Sequence, residues 1–216
     1  MEKLWALIFF IVLSGLLISA RFGFIFAGGE GYIKSLPVTI EVVEGKTQVD
    51  RAGKIRTVET SDSVTRGEKI MVGENSRAFI RIGENITVAL DQQTDIVLEQ
   101  LFPTQVEIKI VRGRLLASTS METEKLIVTS PKATGEIAAG SMTVVRYDFL
   151  DKTTYATIGS PVFIDVLGGQ TFQLNNSQAL DINELNPAQP VLSEFNPQAS
   201  SAAGFYEWAE DKLSEP

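Results

Sequence analysis

Between residues 67 and 99 apolar and polar positions alternate in three short runs, GEKIMVGENSRAFIRIGENITVALDQQTDIVLE, each closed by turn-forming residues. Ile70 and Val72 point one way before Gly73-Glu74-Asn75. Ala78, Ile80 and Ile82 share a face with Arg77 and Arg81 on the other, and Gly83-Glu84-Asn85 leads on to Ile86, Val88 and Leu90. Side chains on a strand alternate between faces, so a period of two with a Gly/Asn turn at each break predicts half-buried antiparallel hairpins. The pattern recurs along the chain. Residues 38–43 and 46–49 flank a Glu44-Gly45 turn, and 55–58 form a further short strand. Val106, Ile108 and Ile110 alternate with Glu107 and Lys109, turn at Arg112-Gly113 and return through 115–117. Residues 126–128, 136–138 and 142–146 read as strands broken at Pro131 and Gly140; 152–157 and 162–166 make a hairpin around Gly159-Ser160; 171–174 follow Gly168-Gly169. Turn signals about every 8–12 residues, with no long helical period, predict an all-β fold. Stacked short antiparallel hairpins can form a β-sandwich or an open β-solenoid or roll, and no repeat is strict enough to fix a solenoid period.

Both ends break the pattern. Residues 4–20, LWALIFFIVLSGLLISA, are an uncharged apolar run, about 25 Å long as a helix at about 1.5 Å per residue. Counting on to Ala27 adds one charge, Arg21, which can snorkel toward headgroups. Residues 1–27 therefore predict one transmembrane signal anchor. It is longer than the apolar core of a cleaved signal peptide, about 7–15 residues, and Ile18-Ser19-Ala20 is a mediocre cleavage site. Residues 28–37 read as a Gly-rich linker, 38–182 as the β domain, and 183–203 as a Pro/Ser/Ala-rich linker. Residues 204–216 read as a short amphipathic helix, with Phe205, Trp208, Ala209 and Leu213 on one face. So short a helix is marginal alone, so it is expected to dock, on its own β domain or on a partner.

Composition narrows the function. The chain of 216 residues has no Cys and no His, which removes thiol chemistry, Cys/His zinc sites, thiolate-held iron–sulfur clusters and His-based triads. A net charge of -8 without a basic patch argues against nucleic acid. Asp91, Asp95 and Glu99 are spaced four apart, but on strands and turns that spacing does not bring them to one face. No Ser-x-x-Lys element supports a His-free nucleophile, no calcium loop is spelled out, and Gly28-Gly29-Glu30-Gly31 precedes no predicted helix that could cradle phosphate. The expectation is a non-enzyme without cofactor or metal. Contact chemistry is better represented. Phe79 between Arg77 and Arg81 is a candidate partner-binding face, as aromatics and Arg are enriched at interfaces, although a second sheet could equally bury Phe79. Phe205 and Trp208 are the other candidates. Exposed strand edges offer a second binding route.

The central stretch resembles the core motif of FecR-like domains, in which a Gly-acid-x-Ile turn, here Gly67-Glu68-Lys69-Ile70, leads into Ser-x-Ala-x-Ile-x-Ile, here 76–82. IKIVRGRLLAS is similar to the family's strand-Gly-strand step, IVTSPKATGEIAAGSMTVVRY to its Thr-Pro then Gly-Thr-x-Phe-x-Val step, and TTYATIGSPVFIDV to its last hairpin. Ser130-Pro131 stands for Thr-Pro, Gly140-Ser141-Met142 for Gly-Thr-x, and Gly83-Glu84-Asn85 for an acidic-Gly-Ser turn. The resemblance spans residues 38–174 and implies a membrane-tethered sensory module outside the cytoplasm, periplasmic or at the cell surface, that binds an envelope protein partner. Family members that control an alternative sigma factor carry a cytoplasmic segment ahead of the apolar run; here three residues precede it, so direct sigma-factor control is not expected. The alternative function is a structural envelope or surface-assembly protein that self-associates through β-strand edges.

Overall fold

The computed structural model describes residues 34–59, 61–120 and 125–214, so the predicted anchor and most of the linker after it lie outside the described residues. Among the described residues no helix is long and apolar enough to cross a membrane. The chain from Lys34 onward forms one compact unit, a sandwich of two β-sheets with a helix at its C-terminal end.

The first sheet runs in the order β4 (Ser61–Val64), β1 (Val38–Glu44), β6 (Arg77–Ile82), β7 (Ile86–Leu90), the second half of β9 (Gln105–Thr119), β12 (Gly140–Tyr147), β13 (Lys152–Ile158), β16 (Gln178–Asn183) and β17 (Val191–Glu194). The second sheet runs β3 (Lys54–Val58), β2 (Thr47–Arg51), β5 (Lys69–Val72), β8 (Asp95–Phe102), the first half of β9, β10 (Lys125–Ser130), β11 (Ala133–Ile137), β14 (Val162–Val166) and β15 (Gln170–Leu174). The alternating apolar residues converge between the sheets: Ile40, Ile80, Val88, Leu115 and Val144 of the first meet Ile70, Ile96, Ile108, Val128 and Ile164 of the second, all fully buried. At about 1.5–3 kcal/mol per buried aliphatic side chain, this shared core supplies most of the folding drive.

Two-sheet architecture changes the meaning of the turns. Gly83-Glu84-Asn85 does close a hairpin, β6 to β7. Gly73-Glu74-Asn75 does not: β5 pairs with β2 and β8, whereas β6 pairs with β1 and β7, so this turn carries the chain from one sheet to the other. Both uses need a sharp reversal with positive φ, met here by Asn75 at 50°, so alternation and turn chemistry alone look the same. Nor is Arg112-Gly113 a turn. β9 is continuous for 15 residues and changes sheets there, pairing with β8 before Gly113 and with β7 and β12 from Gly113 onward. Among the described residues one pairing is parallel: β10 lies beside the first half of β9 after the chain has passed through the first sheet. That step is a single solenoid-like coil inside an otherwise antiparallel sandwich.

Gly113 is held at that corner by a close approach. Its φ is +93°, and a Cβ there would lie 2.4 Å from Thr94 Oγ1 and 2.5 Å from Thr94 Cα. Thr94 cannot withdraw, because its hydroxyl donates to the Arg114 carbonyl (3.0 Å) and accepts from the Arg114 N–H (3.0 Å). Gly113→Ala is accordingly expected to destabilise the domain by about 3 kcal/mol, read as a lower urea midpoint at unchanged slope.

The chain after residue 174 adds two strands that the alternation read from the sequence does not include. Ala179, Leu180 and Ile182 of β16 are buried, and β16 lies between β13 and β17. Residues 183–203, expected as a linker, include β17 and a 3-10 turn, Pro197–Ala199, which Asn196 caps through its side-chain oxygen. The C-terminal helix, Ala203–Ser214, forms as expected.

Candidate functional site

The two groups of residues predicted to meet a partner meet each other. Phe79 sits on the outer face of the first sheet, yet it is only 1% exposed. A helix covers it, not a second sheet. Phe79, Ala89 and Leu116, neighbours on β6, β7 and β9, form an apolar floor, and Phe205, Tyr206 and Ala209 of the C-terminal helix fill it. Phe205 is buried with it, so neither phenylalanine is an outward contact. Trp208 is half-buried at the margin, its ring 5.9 Å from that of Phe205. The flanking arginines lie on aromatic faces: Arg77 over Trp208 at 5.2 Å and Arg81 over Phe79 at 5.2 Å. Of the five candidates, Arg81 alone remains exposed.

Polar groups fix the angle of the helix. Thr143 on β12 donates its hydroxyl hydrogen to the Leu115 carbonyl (2.9 Å), so the 3.1 Å contact with Tyr206 has the tyrosine hydroxyl as donor. Burial raises the Tyr206 phenol above its ordinary value, opposed only in part by the nearby Arg114 charge, which keeps it a donor at neutral pH. Arg114 lies 6.0 Å and 5.9 Å from the rings of Phe205 and Tyr206, pairs with Asp91 at 2.7 Å and donates to Tyr147 Oη at 2.8 Å. Tyr206, Thr143 and Arg114 were not singled out from sequence. The one available signal was that Tyr206 adjoins Phe205 on the helix edge.

Beyond this platform, a depression of about 290 Å³ is lined by Asp91, Arg112, Arg114, Arg146, Tyr147 and Phe149. Its cations are matched within the domain: Arg112 with Asp95 (3.2 Å), Arg114 with Asp91, and Arg146 with Glu184 through two bonds of 2.8 and 2.9 Å. Such pairing holds the β9 corner and the β12 end rigid. Among the described residues, no cluster of three or more acidic side chains could hold a metal ion.

No family model matches the chain, and no curated protein matches its sequence. Solved structures with the same fold do exist. Two crystal structures, at 2.50 and 1.65 Å resolution, of a "putative anti-sigma factor" from Parabacteroides distasonis superpose with a TM-score of 0.54 each, at 15% and 14% sequence identity. The match covers 60% of this chain and 61% of the other. The chain thus spans less than two thirds of those proteins, and what it shares with them is the β fold.

Proposed function

We infer that this protein is a non-catalytic regulatory module of the FecR type, tethered to the membrane by residues 1–27, whose β domain binds an envelope protein outside the cytoplasm. The observation that carries the reading is the pairing of two independent likenesses: the ordered FecR-like motifs between residues 38 and 174, and a sandwich superposable on structures titled as an anti-sigma factor. The matched charges around the β9 corner, Arg112 with Asp95, Arg114 with Asp91 and Arg146 with Glu184, suit a rigid scaffold for binding.

The test is crosslinking of the full-length chain in the cells that make it, followed by purification from membranes and mass analysis. One dominant foreign envelope protein is the expected product. A ladder of self-multiples would replace this reading with a structural assembly protein, and the intact mass would show whether residues 1–20 remain attached.

A further inference from the structure

Three pieces of chain meet around the depression at the β9 corner: the turn 91–93 after β7, Arg112 to Arg114 at the corner itself, and the end of β12 with the 3-10 turn Asp148–Leu150 that follows it. Its three guanidinium groups are not used alike. Arg146 commits Nε and Nη2 to Glu184 and Nη1 to the Val111 carbonyl. Arg114 holds Asp91 through Nη1 and the Tyr147 hydroxyl through Nη2. Arg112 is different. Its side chain is half exposed and meets Asp95 only through Nε, at 3.2 Å, on Oδ2, the same oxygen that Lys69 holds at 2.8 Å. Two cations thus share one carboxylate oxygen, and among the described residues neither Nη group of Arg112 has a protein acceptor.

Two further donors line the same depression. Tyr147 Oη accepts from Arg114, so its own hydrogen is left to donate elsewhere, and no acceptor for it stands among the described residues. Gln92 accepts the Asn75 N–H at 3.1 Å through Oε1, which leaves its amide NH2 unpaired among the described residues. The one carboxylate in the wall, Asp91, is buried and already taken by Arg114 and by the Gln92 N–H. Donors therefore outnumber acceptors. At the lip lies Phe149, 77% exposed, with its ring 5.6 Å from that of Tyr147.

We propose that this depression is a binding site for a small monocarboxylate that carries an apolar group. Arg112, Tyr147 and Gln92 receive the carboxylate, and Phe149 receives the apolar part. The paired N–H groups of a guanidinium match the two oxygens of a carboxylate. Arg114 and Arg146 are pinned by largely buried ion pairs, so the base of the site is set in advance and binding orders little. Charge selects a monoanion: Arg112 alone is under-paired, and Asp91 in the same wall repels a phosphate dianion. The volume, about 290 Å³, lies at the lower end of small-molecule pockets, which start at about 300 Å³, and suits one residue-sized group. A free organic acid and the C-terminal carboxylate of a polypeptide both present this chemistry. The site goes beyond the protein-binding reading and does not depend on it.

Titration calorimetry of the full-length chain, purified in detergent, with phenylacetate tests this. Saturable one-to-one binding is expected, with neutral phenylacetamide at least about tenfold weaker. Arg112→Gln should weaken phenylacetate about tenfold at unchanged Tm, since Asp95 keeps Lys69. Phe149→Ala should weaken phenylacetate about threefold and leave acetate unchanged. A short peptide ending in phenylalanine separates the sources. If its free-carboxylate form binds more tightly than phenylacetate and its amidated form does not bind, the ligand is a polypeptide C-terminus; the reverse order assigns a free acid. No saturable binding, equal affinity for phenylacetamide, displacement by equimolar inorganic phosphate, or unchanged binding in Arg112→Gln would overturn the site. None of these results bears on whether the chain crosslinks to an envelope protein, so the module reading stands or falls separately.

Discussion

Arg146→Ala should destabilise the domain by about 3–5 kcal/mol, the cost of leaving a buried carboxylate without its partner. The side chains of Arg146 and Glu184 are only 14% and 8% exposed, and the guanidinium meets the carboxylate through Nε and Nη2 while Nη1 reaches the Val111 carbonyl. Thr153 donates a further bond of 2.7 Å to Glu184. Arg146→Lys should rescue little, because an ammonium cannot reproduce two parallel bonds and the carbonyl contact together. Glu184→Gln should cost about 3 kcal/mol, since the amide keeps one acceptor oxygen but turns its NH2 toward a donor of Arg146 and leaves that charge unpaired. The pH dependence follows from the same contacts. Burial pushes the Glu184 carboxyl up, but the Arg146 and Thr153 bonds and the nearby Lys132 charge bring it out below 4.5. A depressed folded-state pKa means stability that is present above the unfolded value and lost as pH falls through the folded one. Glu68 behaves alike, with burial outweighed by bonds from Thr65 and Arg51. Glu107 runs the other way: burial and Glu99 raise it, so its protonation on acidification relieves strain. Unfolding free energy in urea should therefore fall below about pH 4.5 in the wild type, and Glu184→Gln should flatten that fall. An unaltered slope in the variant would show that Glu184 is not the group responsible.

That network also shows where sequence reading stops. The strands between 38 and 174 were legible because each is a short alternating run, and the pleat turns alternation into a face. The inward sets that it names, Ile70 with Val72 and Ala78 with Ile80 and Ile82, are buried. Which strands pair was not legible, because hairpin turns and sheet-to-sheet corners use the same residues: Gly83 serves one and Gly73 the other. β16 was hidden by its neighbours. Leu180 and Ile182 alternate, but between Asn175, Asn176 and Asn183 the run is too short to stand out as a strand within the β domain. Glu184 and Arg146 stand 38 positions apart, and nothing local in either marks the other. Phe79 was legible as a residue in need of cover. What covers it was not, since the covering helix lies more than a hundred residues away and its floor is assembled from three strands.

Phe79→Ala should cost about 3–5 kcal/mol, and so should Phe205→Ala, since each empties a buried aromatic site in the same small cluster. The double variant should cost clearly less than the sum, because the two residues share one cavity. Removing the helix from Ala203 onward should be worse than either, leaving Phe79, Ala89 and Leu116 as an apolar floor on an otherwise wet sheet face, detectable by binding of a hydrophobic dye. These outcomes separate the two places where the helix could dock. Its twelve residues are too few to persist alone, so if its native seat were a partner, the purified domain would hold it loosely and Phe205→Ala would leave Tm unchanged. A large loss in the isolated monomer, coupled between positions 79 and 205, means that the helix is an integral third layer.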